Sequence, residues 1–183
     1  MKIPSAAASA VITLAGLAIA AITASVAGPA PLSTDSSIAR GQYLVTVTGC
    51  HDCHTPGHMQ SGGHAPAATL LTGQSMGFQG PWGTTYPANL RLTVQSLTEA
   101  QWLVFARAEK RPPMPWFNLK AMNDRDLIDI YHFIRSLGPA GEPVPAAVPP
   151  GGKVNTPFII FVPQNLGPQS VTQSAPQTAA PRG

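Results

Sequence analysis

The 183-residue chain has only two cysteines, Cys50 and Cys53. That excludes a multi-disulfide scaffold and a four-cysteine zinc site, which both need further thiols. Charge is also sparse: Asp, Glu, Lys and Arg make up 10% of the chain, and the net charge is +3. Nucleic-acid binding needs basic residues clustered on one face, and no stretch supplies such a cluster. No βαβ pattern surrounds the cysteine pair, which argues against a thioredoxin-like redox site.

What the chain does have is Cys50-His51-Asp52-Cys53-His54. A C-x-x-C-H pentapeptide sets two thiols about one helical turn apart on the same side of the backbone. There they can add to the two vinyl groups of a haem, and the histidine that follows lies beneath the iron. Imidazole is the expected proximal ligand, so the spacing reads as attachment of one covalently bound haem c. Two other readings stay open. The pair could be half of a zinc site completed by His58 and His64, although no second cysteine pair exists. It could be a structural disulfide, although so short a loop would gain little stability from closure.

The N-terminus agrees with the haem reading, because thioether attachment takes place outside the bacterial cytoplasm. Lys2 precedes an uncharged stretch with Val11, Ile12, Leu14, Leu17, Ile19 and Ile22 among small residues, and Ser25-Val26-Ala27 offers a cleavage site. Residues 1–27 therefore read as a signal peptide cleaved after Ala27, residues 28–35 as a linker, and the expected location is the periplasm. The alternative is an uncleaved anchor, since about 20 apolar residues can span a bilayer. Membrane contact is expected only in that case.

Half of the twenty prolines fall in residues 139–183, which also contain Gly151-Gly152 and then run into Gln, Ser, Thr and Ala. This Pro-rich C-terminal extension reads as an irregular tail. Within it, residues 156–162 are apolar and β-prone. They either fold back onto the domain or form a docking strand for a partner, and the fold-back is favoured.

Residues 36–138 are the expected domain, with three main helices. The first begins near Thr34-Asp35-Ser36, carries Ile38, Tyr43, Leu44 and Val47 toward the cysteines, and contains Gly41. A glycine inside a helix costs up to about 1 kcal/mol, and a close helix crossing would explain it. The second is announced by two capping-box spacings, Ser96/Glu99 and Thr98/Gln101, followed by Trp102, Phe105 and Ala106. The third has Asn123 as cap, Asp124 and Asp126 in its first turn, an apolar stripe of Leu127, Ile130, Tyr131, Ile134 and Leu137, and Gly138-Pro139 as its stop. His132 falls on its polar side and is expected to be solvated.

Residues 55–95 show no sustained period. So long a loop is unusual in a compact domain. Wrapping a porphyrin would account for it, burying Leu70, Leu71, Met76, Phe78, Trp82, Tyr86 and Leu90 against the ring.

Four methionines compete for the sixth iron position. Met114 lies in Arg111-Pro112-Pro113-Met114-Pro115-Trp116, where prolines on both sides forbid a helix and hold the segment stiff. Met122 is placed to pack in the core, Met59 follows the cysteines too closely, and Met76 remains open. Met114 is the favoured ligand.

In this order, the Gly41 helix, Cys50-x-x-Cys53-His54, the Met114-Pro115 loop and the amphipathic helix over residues 127–137 resemble the class I c-type cytochromes of the bacterial monohaem kind. The resemblance covers residues 36–138. It implies an all-α fold with helices and long loops around one haem. It also implies thioethers from Cys50 and Cys53, His54 as proximal iron ligand and Met114 as distal ligand. The implied function is one-electron transfer as a carrier rather than an enzyme, between a donor dehydrogenase or cytochrome and an acceptor oxidase or cytochrome. Two other classes remain: a subunit tethered to a periplasmic dehydrogenase or oxidase complex, and a five-coordinate haem sensor or peroxidase. Arg107, Lys110, Arg111, Lys120 and Arg125 flank the Met114 loop in sequence, partly offset by Glu109, Asp124 and Asp126. They form a candidate basic rim for an acidic partner.

Overall fold

The computed structural model describes residues 33–163, so the expected signal peptide of residues 1–27, most of the expected linker and residues 164–183 of the extension lie outside the described residues. Among the described residues six α-helices run in order: α1 (Thr34–Val47), α2 (Cys50–His54), α3 (Leu90–Gln95), α4 (Glu99–Arg107), α5 (Trp116–Ala121) and α6 (Asp124–Ser136). Three short strands join them: β1 (Gly77–Gly80), β2 (Gly83–Thr85) and β3 (Phe158–Ile160).

The three expected helices are α1, α4 and α6, and their ends follow from capping chemistry. Ser33 caps α1, accepting from the Ser36 amide. Of the two capping-box spacings before α4, the chain uses Thr98/Gln101: Thr98 Oγ1 accepts from Gln101 N, and Gln101 Oε1 accepts from Thr98 N. Asn123 caps α6 by accepting from Asp126 N at 2.8 Å.

Gly41 lets α1 and α6 cross at backbone contact. A Cβ there would sit 2.6 Å from the Asp129 carbonyl carbon, 2.8 Å from Phe133 Cβ, and closer still to the Asp129 oxygen. The crossing buries Ser37, Gly41, Leu44 and Val45 of α1. Tyr43 and Val47, expected to face inward, are 61% and 57% exposed. The contact with α6 is centred on Gly41, which turns both outward. Leu44, Val45, Trp102, Leu127, Ile130, Tyr131 and Ile134 form one apolar core. Trp102 Nε1 donates to Leu127 O at 2.7 Å, so its polar edge is satisfied inside that core. His132 is bridged rather than solvated: its ring nitrogens face Ser37 Oγ at 2.8 Å and Glu99 Oε1 at 3.0 Å.

The sheet departs from the all-α expectation, though the architecture remains mostly helical. Its order is β2-β1-β3, with β1 and β2 an antiparallel hairpin in the register Phe78↔Thr85. Strand β3 lies parallel to β1, pairing Phe78 with Ile159. The segment at residues 156–162 therefore folds back onto the domain. Its partner is some eighty residues distant in sequence, which is why local pattern marked residues 156–162 as β-prone but gave no sign of what they pair with. Thr84 and Val148 exchange both backbone hydrogen bonds, at 2.8 and 2.9 Å, and tie the extension to β2 as well.

The stretch at residues 55–95 contains β1, β2 and α3, so it is less irregular than its sequence implies. Asn89 caps α3 by accepting from Leu92 N. Arg91 on α3 is buried, and its guanidinium donates to Gly138 O at 2.6 Å, Ala68 O at 3.2 Å and Leu137 O. A cation at the C-terminal end of α6 complements its unpaired carbonyls and the helix dipole.

Candidate functional site

Gly49 separates α1 from α2. Its φ of 71° turns the chain sharply, a conformation that other residues rarely adopt. The turn starts α2 at Cys50 and sets the pentapeptide on one short helix, as its spacing requires. Both cysteines are free thiols, so the disulfide reading does not hold. Burial pushes both thiols above their ordinary values and keeps them protonated.

Two nearby groups hold the end of α2. Gly73 N donates to His54 O at 2.8 Å, and the Gln74 side chain donates to Cys53 O at 2.9 Å. Thr55 follows, almost fully buried, with its hydroxyl accepting from Leu71 N and facing His51 Nδ1, both at 2.8 Å. These residues were not foreseen, because their partners are backbone groups brought in from a distant loop.

His54 is buried, and its side chain makes one hydrogen bond among the described residues, from Nδ1 to Ala88 O at 2.8 Å. A carbonyl can only accept, so Nδ1 carries the proton and Nε2 keeps its lone pair. Burial lowers the His54 pKa below its ordinary value, and the Ala88 bond opposes this only in part. The ring is therefore a neutral imidazole whose Nε2 has no partner among the described residues.

An apolar-walled cavity of about 310 Å³ opens beside it, and Cys50, Cys53, His54 and Met114 all line it. Among the described residues, Met114 is the only methionine to do so. Met59 is 60% exposed, Met122 packs against the helical core, and Met76 is half-buried away from the cavity. The rest of the wall matches expectation in part. Phe78, Tyr86 and Leu90 reach the cavity, whereas Leu70, Leu71, Met76 and Trp82 do not. Leu71 joins the helical core instead, because Thr55 pins its amide there. Pro145 and Ala147 of the C-terminal extension also line the cavity.

His58 stacks on His51 at 4.9 Å, and His64 is exposed. Among the described residues no three His, Cys, Asp or Glu side chains are grouped to hold a metal ion, which removes the zinc reading.

The family described as Cytochrome c matches residues 38–138, more than half of the chain. The chain belongs to the cytochrome c family. No curated protein and no solved structure matches it. A cytochrome c domain binds haem c covalently, and the residues present fit that group. Two free thiols, an imidazole with an unused nitrogen and a thioether converge on one apolar cavity. The residues fit a flat apolar ring with metal at its centre better than any polar substrate.

The candidate basic rim of this cytochrome is thinner in space than in sequence. Arg107 pairs with Asp124 at 2.6 Å, and Arg125 lies 4.0 Å from Asp129. Lys120 sits over the Trp116 ring, and Lys110 donates to Phe105 O and Ala108 O at the end of α4. Burial lowers the Lys110 pKa below its ordinary value. Arg111 alone of the five has no partner among the described residues, and it lines the cavity together with Lys110.

Proposed function

We propose that this protein is an exported electron carrier of the periplasm, in which Cys50 and Cys53 would hold haem c through thioethers and His54 and Met114 would ligate its iron. The observation that carries this reading is the convergence of those four side chains on a single apolar cavity.

Haem c supplies a one-electron ferric/ferrous couple. The chain's own residues decide how that couple is used. Ala88 fixes the His54 tautomer and orientation, and so directs the unused nitrogen to the metal. Met114 offers a soft thioether, which favours the reduced state and raises the potential. With His54 and Met114 both ligating the iron, no site would be left for oxygen or peroxide, and transfer would be outer-sphere. The apolar wall, to which Phe78, Leu90 and Ile130 belong, excludes water and limits reorganisation.

Partners are redox proteins, a donor dehydrogenase or cytochrome and an acceptor oxidase or cytochrome. Lys110 and Arg111 are the basic groups best placed to meet an acidic docking face. Replacing both with Gln should flatten the salt dependence of the reduction rate; an unchanged salt slope would reject the basic docking face.

A pyridine haemochrome assay and the mass of the purified mature protein test attachment, with one haem added to the peptide mass expected. Met114→Ala then tests ligation. The near-infrared band of a ferric iron–thioether bond should vanish, and carbon monoxide should bind the reduced protein rapidly. A native protein that already binds carbon monoxide fast and lacks the band would instead be a sensor or peroxidase. Tethering to a larger complex has less support, since residues 158–160 pair into this domain's own sheet and Val148 bonds Thr84.

A further inference from the structure

The Met114 loop is poor in means of attachment. Pro112, Pro113 and Pro115 have no N–H, so three of the five residues at 111–115 can donate nothing from the backbone. Met114 O accepts from Trp116 N at 2.9 Å, and Pro115 O accepts from Asn118 N at 3.0 Å, both within the same turn. Among the described residues, one hydrogen bond ties residues 111–115 to a distant part of the chain. Thr85 Oγ1 donates to Pro112 O at 2.9 Å. The same hydroxyl lies 3.5 Å from Phe78 O, and having a single proton it serves the nearer acceptor.

Thr85 ends strand β2, and its neighbours carry two further ties. Thr84 exchanges both backbone bonds with Val148 of the C-terminal extension. The Tyr86 hydroxyl bonds Thr156 of the same extension at 2.7 Å. Two residues beyond Tyr86, Ala88 O accepts a hydrogen bond from His54 Nδ1. Residues 84–88 thus hold the extension, the Met114 loop and the His54 ring within five positions.

We propose that Thr85 is the positioning residue for the Met114 loop, and that the C-terminal extension serves as the brace that keeps Thr85 in place. The proposal rests on Met114 as iron ligand. A valine at position 85 would fit the strand and fill nearly the same volume, so the hydroxyl is the part of the side chain that matters. The extension lies outside the 38–138 stretch that matches the family.

The test uses the full-length ferric holoprotein. Imidazole is titrated against the bound thioether while the near-infrared thioether band is followed. In Thr85→Val, imidazole should displace the thioether at a concentration about three- to tenfold lower, the equilibrium worth of one lost hydrogen bond. Thr85→Ser should restore the wild-type value, and the haemochrome yield should not move in either variant. Val148→Pro removes the amide that donates to Thr84 O, and should shift imidazole binding in the same direction by a smaller factor.

Wild-type imidazole affinity in Thr85→Val, with the band lost in Met114→Ala, would overturn the proposal and leave the ligand assignment standing. A band that survives Met114→Ala would overturn both. A shift in Thr85→Val with none in Val148→Pro would confirm Thr85 and overturn the brace.

Discussion

The two sides of the cavity are built by different means. On the helical side, Val45, Leu127, Ile130 and Ile134 are at most 2% exposed, and α1 and α6 meet backbone to backbone at Gly41. On the sheet side, Phe158, Ile159 and Ile160 are 39–59% exposed. What holds that side is a set of polar ties: Thr84 with Val148, Tyr86 with Thr156, Thr85 with Pro112. Burial and steric fit dominate folding energy, whereas single hydrogen bonds contribute about 0.5–1.5 kcal/mol each. Damage to the helical side should therefore unfold the protein. Damage to the sheet side should leave it folded and alter how the cavity presents its ligands.

The sharpest way to break this comparison is Gly41→Ala. The new methyl group would overlap the Asp129 carbonyl, which is main chain and cannot swing away. We expect a loss of about 3 kcal/mol or more, against a gain from helix propensity of about 1 kcal/mol at most. Denaturant unfolding of the holoprotein measures it, and a variant as stable as wild type would mean that α1 and α6 can separate freely. Arg91→Leu comes next. It strips the donors from the carbonyls of Ala68, Leu137 and Gly138, at a seam where the loop meets the end of α6. Hydrogen bonds to a charged group are the stronger kind, so the expected loss is about 2–4 kcal/mol in the same assay.

The helical side was also the readable side. Thr98-x-x-Gln101, Asn123 with its two following aspartates, and the stripe from Leu127 to Leu137 each state a local rule that the fold obeys. Gly41 told of a close crossing, but not that Tyr43 and Val47 would consequently face solvent, because the rotation of α1 is set by the partner helix. At the site, residues of distinctive chemistry were legible: two thiols, an imidazole and a thioether framed by prolines. Their supports were not. Ala88 and Pro112 act through carbonyl oxygens that any residue would supply, Gly73 acts through its amide, and Gln74, Thr55 and Thr85 reach backbone atoms only after distant segments have come together. Strand β3 has a β-prone sequence, yet its parallel register with β1 is set by tertiary contact alone.

A matched pair of small changes sharpens the comparison further. Thr98→Ala removes the capping box of α4 and should cost about 1 kcal/mol of global stability on the helical side. Tyr86→Phe deletes the oxygen that bonds Thr156 while leaving the ring against the cavity. Both partners are half-buried and regain water when the bond is lost, so the expected change in unfolding free energy is about 0.5 kcal/mol, the low end for a neutral pair. Exchange of the amides that join β1 to β3 should quicken in Tyr86→Phe well before the global midpoint moves, because local opening of the sheet need not involve the helical core. If those amides instead kept the protection of the α6 amides, and the midpoint fell as far as in Arg91→Leu, the sheet would belong to the same cooperative unit as the helices, and the division drawn between the two sides would fail.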